Sequence, residues 1–238
     1  MNNAAGSPVL TVKNLEAWYG ESHILHGMNF DVRSGEVVTL LGRNGAGKTS
    51  TLKSIMGIIG KRTGSVAFEG AELIKLPSEK IARLGVAFCP EERGIFASLD
   101  VKENLMLPPT IRSGGMTLDQ IFELFPNLKE RLGSQGTKLS GGEQQMLTIG
   151  RALMTNPDLI LIDEATEGLA PLVAKDIWNT LGVIRSEGVA TVVVDKDFRA
   201  LSRIADRMVM LSKGTVVFDG TPAALAEKQD LLEQHLGV

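Results

Sequence analysis

The sequence predicts an α/β protein in which a core of alternating strands and helices is interrupted by a helical block. Two observations carry this reading. Short apolar runs punctuated by turns fill the first and last thirds of the chain, and apolar residues recur at helical spacing in between. A third observation is glycine, 26 of 238 residues or about 11% against a typical ~7%, which makes the positions of those glycines informative.

Taken in order, residues 9–18, 24–32 and 37–41 read as strands separated by Tyr19-Gly20-Glu21-Ser22 and Arg33-Ser34-Gly35-Glu36. Residues 48–56 follow as a helix with Gly57 at its C-terminal cap, and 63–68 return to strand. From about Leu99 to Gly150, Ile121, Leu124, Phe125 and Leu128 fall at helical spacing, while Pro108-Pro109 and Ser113-Gly114-Gly115 mark loops. Residues 159–163 are strand. Residues 171–187 form a helix with Val173, Ile177, Leu181 and Ile184 on one face and Gly188 as its stop. Residues 191–195 are strand, 209–218 a hairpin around Ser212-Lys213-Gly214, and 222–235 a closing helix. The whole chain, 1–238, is thus one unit: a core of about 1–95 and 156–238, and a helical subdomain of about 96–155.

Charge and composition exclude several classes. With 25 Lys+Arg against 28 Asp+Glu, a net charge of −3, a nucleic-acid partner is not expected. An apolar share of 43% and a charged share of 22% match an ordinary globular protein and argue against disorder. No stretch approaches the ~18 consecutive apolar residues of a membrane helix, and Met1-Asn2-Asn3-Ala4-Ala5 lacks the features of a signal peptide, so the chain is expected in the cytoplasm. A single cysteine, Cys89, permits neither an intramolecular disulfide nor a cysteine metal cluster.

Some of the glycines lie in chemistry-bearing motifs, while most of the others mark turns or the ends of elements. Gly42-Arg43-Asn44-Gly45-Ala46-Gly47-Lys48-Thr49, followed by Ser50, fits G-x-x-x-x-G-K-[ST] between an apolar strand and a helix. Glycines let consecutive N–H groups face a β-phosphate, and the helix start adds its positive dipole end. Lys48 supplies a point charge to the β- and γ-phosphates, and Thr49 a hydroxyl to Mg²⁺. Leu159-Ile160-Leu161-Ile162-Asp163-Glu164 reads as a buried parallel strand ending in two carboxylates, at the edge where α/β sheets bind ligands. Asp163 is the candidate Mg²⁺ residue and Glu164 the candidate base toward water. At Leu139-Ser140-Gly141-Gly142-Glu143-Gln144-Gln145, Ser140 is placed to cap a helix running to about Met154, and its two glycines expose N–H groups as a second anion site.

Leu-Ser-Gly-Gly-Glu-Gln-Gln resembles the signature of ATP-binding-cassette ATPases, and with the phosphate loop and Asp163-Glu164 in that order the likeness spans almost the whole chain. It implies a P-loop NTPase core, a mixed sheet flanked by helices, with an N-terminal antiparallel β-subdomain and an inserted α-helical subdomain. It implies ATP and Mg²⁺ as ligands, and a head-to-tail dimer in which Ser140, Gly141, Gly142 and Gln144 close over the γ-phosphate held by the partner's phosphate loop. The second ATPase subunit is the same chain or a different one. Membrane permease subunits and, indirectly, a solute-binding protein are the other implied partners, placing the chain peripherally on the cytoplasmic face of the inner membrane. Tyr19 stands where the family has an aromatic residue that stacks on adenine; ordinary strand packing is the alternative. Glu91, in Phe88-Cys89-Pro90-Glu91-Glu92-Arg93-Gly94-Ile95-Phe96, stands in the loop that joins the two subdomains near nucleotide and metal, where most members have Gln.

Other positions depart from the common family pattern. Ala165 replaces the usual Pro, Gly168-Leu169-Ala170 lacks the acidic loop residue, and Lys196 stands where most members place a histidine facing the γ-phosphate. A lysine neutralises phosphate charge but is a poor proton relay near pH 7. Lys196 is read either as a ground-state phosphate contact or as a solvated lysine. Glu167-Gly168-Leu169-Ala170-Pro171, the Glu91 segment and the signature together look like the smaller ATPase subunit of branched-chain amino-acid importers, and are also similar to ATPases of urea and short-amide importers. Soluble cassette ATPases and a regulatory nucleotide-binding module are the other functions considered.

Overall fold

The computed structural model describes residues 7–236. Strands β1 (Leu10–Tyr19) and β2 (Ser22–Val32) form an antiparallel hairpin, followed by β3 (Val37–Leu41), α1 (Lys48–Ile55), β4 (Lys61–Phe68), β5 (Ala71–Glu72), α2 (Ser78–Arg83) and β6 (Val86–Cys89). Four helices come next without an intervening strand: α3 (Val101–Met106), α4 (Leu118–Leu124), α5 (Pro126–Glu130) and α6 (Gly141–Leu153). The chain then runs through β7 (Leu159–Asp163), α7 (Pro171–Ser186), β8 (Ala190–Val194), α8 (Phe198–Ile204), β9 (Arg207–Ser212), β10 (Thr215–Gly220), α9 (Pro222–Ala226) and α10 (Gln229–His235).

The strands form two sheets. One is antiparallel, in the order β2-β1-β4-β5; the other has the order β10-β9-β3-β8-β7-β6, parallel throughout except for the β9–β10 hairpin. Every residue of β3, β7 and β8 is buried, as expected for parallel strands covered on both faces. The pleat divides them between two cores. Ile160 and Ile162 join the one formed with the helices of the 101–153 block and α7, while Leu159 and Leu161 join the one shared with α1 and the antiparallel sheet.

Local chemistry explains where elements stop. Gly57 ends the first turn beyond α1 at φ 72°, and a Cβ there would lie 2.8 Å from the Leu76 carbonyl oxygen, so only glycine fits. The apolar face at Ile121–Leu128 is split into α4 and α5 because Pro126 occupies the first turn of the second helix. The expected closing helix 222–235 is also two helices. Lys228 leaves helical geometry at φ −103°, ψ 64°, its ammonium rests over the Phe218 ring, and its carbonyl oxygen restarts α10 by accepting from Leu231 and Leu232 N–H. Phe88 and Cys89, read as part of a connecting loop, lie in β6, paired with Leu161 and Ile162. The segment 107–116 is strapped to the core: Arg112 reaches Glu69 at 2.8 Å and Asp158 at 2.6 Å, and Asn156 donates to the Arg112 and Ser113 carbonyls.

Candidate nucleotide site

The phosphate loop joins the C-terminal end of β3 to α1, and its backbone is committed to glycine. Gly42 has φ 139°, and a Cβ there would sit 2.4 Å from the Leu211 carbonyl oxygen; Gly47 has φ 106°, with a Cβ 2.8 Å from Leu25. Behind the loop, the β9–β10 turn is woven in. Gly214 N–H donates to Ala46 O at 2.9 Å, and Gly214 O accepts from His26 N–H at 2.8 Å. Lys48 is buried, and its Nζ donates to the loop's own carbonyls at Gly42 (2.8 Å) and Arg43 (3.2 Å). Burial pushes its pKa below the ordinary lysine value and the Lys196 charge adds to that, while Asp163 and Glu167 oppose it.

A cavity of 580 Å³ opens beside the loop, lined by Asn44, Gly45, Gly47, Lys48, Thr49, Ser50 and Glu164, with Lys213 and the β2 residues His23, Ile24 and His26 on its other wall. The β2 wall belongs to none of the sequence motifs. Trp18 stacks on His23 at 4.3 Å, and His26 meets His23 edge-on at 4.1 Å. Tyr19 lies at the hairpin turn, exposed and outside this lining. Arg43 and Ala46 face a neighbouring depression with Lys213, Gln234 and His235.

Asp163 ends β7 fully buried. Thr49 Oγ1 donates to its Oδ1 at 3.0 Å, while its Oδ2 is buried without a hydrogen-bond partner. Burial raises its pKa above the ordinary aspartate value, against the Thr49 hydrogen bond. A buried, half-satisfied carboxylate beside a hydroxyl is an all-oxygen donor set that suits Mg²⁺. Glu164 has φ 51°, a left-handed conformation that costs a non-glycine residue ~1–2 kcal/mol, and its Oε2 lies 3.5 Å from Lys196 Nζ. Lys196 Nζ also donates to Glu167, and Glu91, Glu164 and Glu167 present carboxylate oxygens within 4.8 Å of one another.

Asp195 holds this arrangement. It is 6% exposed, and its Oδ2 accepts from Thr166 N–H (2.7 Å) and Thr166 Oγ1 (2.8 Å), its Oδ1 from Lys196 N–H (2.7 Å) and Asp197 N–H (3.0 Å). The loops after β7 and β8 are thereby fixed to each other. In the sequence Asp195 reads only as a strand end. The signal available was an acidic residue closing an apolar run.

Ser140 caps α6 as expected: Glu143 N–H donates to Ser140 Oγ at 3.3 Å and Ser140 N–H to Glu143 Oε2 at 2.7 Å. The signature residues are not part of the cavity lining. Gly142 packs against α7, where a Cβ would lie 2.5 Å from Val173 Cγ1. Arg93, at φ 60°, ties the Glu91 loop to α6: its Nη1 donates to Gln144 Oε1 at 3.5 Å, and its carbonyl oxygen accepts from Thr148 Oγ1 and Arg151.

A glycine-rich loop with a buried lysine after β3, and a buried aspartate followed by a glutamate at the end of β7, are parts suited to a nucleotide hydrolase. The sequence matches the ABC transporter family over residues 25–167. It is 39% identical to the high-affinity branched-chain amino acid transport ATP-binding protein BraG of Pseudomonas aeruginosa, over 96% of this chain and 100% of that protein. It is 33% identical to the lipopolysaccharide export system ATP-binding protein LptB of Escherichia coli K12, over 96% and 97%. Among solved structures, a dimeric bacterial ABC transporter cassette superposes with a TM-score of 0.77 at 26% identity, covering 90% of this chain and 98% of that one. The chain belongs to the ABC transporter family, as an ATP-hydrolysing cassette subunit. Among the described residues no helix is long and apolar enough to cross a membrane.

Proposed function

We propose that this cassette powers a membrane importer for branched-chain amino acids or closely related solutes, working as a dimer docked on permease subunits at the cytoplasmic face of the membrane and served by a solute-binding protein. The observation that carries this reading is the full-length 39% identity to BraG, against 33% to LptB. Residues 96–155 are assigned as the helical subdomain, and the rest as the core that holds nucleotide.

In this reading the amides of Gly42 to Ser50 bind the β- and γ-phosphates, and Lys48 exchanges the Gly42 and Arg43 carbonyls for phosphate oxygens. Thr49 and Asp163 would hold Mg²⁺, with Glu91 at its edge; when bound, the metal neutralises charge on the β- and γ-phosphates. Glu164 takes a proton from the attacking water as its oxygen bonds to the γ-phosphorus and the bond to the β-phosphate oxygen breaks. Lys196 contacts the γ-phosphate, Tyr19 stacks on adenine, and Ser140, Gly141, Gly142 and Gln144 close over the nucleotide of a second cassette.

Two measurements test this. Glu164→Gln abolishes steady-state ATP hydrolysis while ATP binding persists, and near-normal turnover would refute the assignment of the base. Deleting the gene abolishes uptake of labelled leucine, isoleucine and valine; unchanged uptake alongside defective lipopolysaccharide export or urea uptake would refute the solute class.

A further inference from the structure

We propose that Glu167 weakens the preference of this site for ATP over ADP, by holding Lys196 away from the terminal phosphate until that phosphate displaces it. The inference rests on the assignment of Lys196 to the γ-phosphate given above. Four observations support it. Lys196 Nζ is already paired, donating to Glu167 and lying 3.5 Å from Glu164 Oε2. The loops that carry the two partners are held together, because buried Asp195 accepts from Thr166 N–H on the Glu167 side and from Lys196 N–H on the other. Glu164, 3.5 Å from Lys196 Nζ, lines the same cavity as Lys48 and Thr49, so the pair lies beside the space in front of the phosphate loop. Finally, Lys196 offsets a crowd of carboxylates, since Glu91, Glu164 and Glu167 bring oxygens within 4.8 Å of one another.

A γ-phosphate entering this space competes with the Glu167 carboxylate for the same ammonium. ADP offers no such competitor. ATP binding therefore carries the cost of breaking an ion pair that ADP binding leaves intact, and Glu167 lowers affinity for the triphosphate selectively. Half of the Lys196 side chain is exposed, so solvent screens the pair, and an exposed ion pair of this kind corresponds to a factor of about five or less in affinity.

The test is calorimetric titration of the full chain in magnesium buffer with β,γ-imido-ATP and, separately, with ADP. Glu167→Gln is expected to tighten the imido analogue by up to about fivefold and leave ADP unchanged. In the Glu167→Gln/Lys196→Ala double variant, compared with Lys196→Ala alone, the gain disappears. Equal tightening of both nucleotides, or a gain that survives without Lys196, would overturn the inference. Failure of the parent chain to bind either nucleotide would instead overturn the site assignment on which it rests.

Discussion

Asp195→Ala should be the most damaging single substitution near the site that touches no substrate. It strands three backbone N–H groups and the Thr166 hydroxyl, all of which the buried carboxylate accepts from at 2.7–3.0 Å. Hydrogen bonds to a charged acceptor contribute ~1.5–3 kcal/mol each, but they share one carboxylate and water fills part of the space, so the expected loss is about 3–4 kcal/mol rather than the full sum. With a urea m-value of ~3 kcal/mol/M, the unfolding midpoint falls by about 1 M. Asp195→Asn keeps one acceptor but turns an amide NH2 toward a donor, and should cost ~2 kcal/mol; Thr166→Val removes one hydroxyl bond and should cost ~1 kcal/mol. The same loops carry Glu164 and Lys196, and Glu164 sits in a strained left-handed conformation that Thr166 follows. Turnover should therefore fall tenfold to a hundredfold, on the order seen for small misplacements, while ATP affinity changes little. An alanine variant within about 0.5 kcal/mol of the parent, or one with unchanged kcat, would refute the argument.

Two further predictions follow from contacts. Gly142→Ala drives a methyl into Val173, so ATPase activity should drop, and adding Val173→Ala should restore it; failure of the second change to rescue the first would show that the glycine serves something other than this packing. Burial pushes the Glu72 carboxyl up, but hydrogen bonds from Ser65, Val66, Ile74 and Leu73 pull it further down, leaving its pKa below the ordinary glutamate value. A carboxylate depressed in the folded state contributes stability that is full above its unfolded pKa and is lost as pH falls through its folded pKa. Glu72→Gln should accordingly narrow the gap in urea midpoint between pH 7 and pH 3.5, and an identical gap in both proteins would refute the contribution.

The motifs were legible because each is local. The phosphate loop states its glycines, lysine and threonine within eight residues, and Ser140 announces a capping box with Glu143 three residues on. The strand ending at Asp163 is equally plain as an apolar run closed by carboxylates. What the sequence hid lies between distant segments. The Arg112 bridge to Glu69 and Asp158, the Asp195 bridge to Thr166 and the hold of Arg93 on Gln144 pair residues whose spacing follows no repeat. Short strands β5 and β6 and the split of the last helix escaped for a related reason: tertiary packing, not local periodicity, decides them.

The central position of β3 has a consequence for synthesis. Its neighbours are β8 and β9, and the turn that braces the phosphate loop, at Gly214, comes later still. When β3 and the loop emerge, every one of these partners is yet to be translated. At ~5–20 residues per second, the roughly 150 residues from β3 to β8 take about 8 to 30 seconds. For that interval Val37–Leu41 is an apolar strand with two open edges, and the loop has no wall behind it. The nascent chain therefore gains its nucleotide site only near the end of translation, and a ribosome-bound fragment truncated before Arg207 should be the form most in need of chaperone cover.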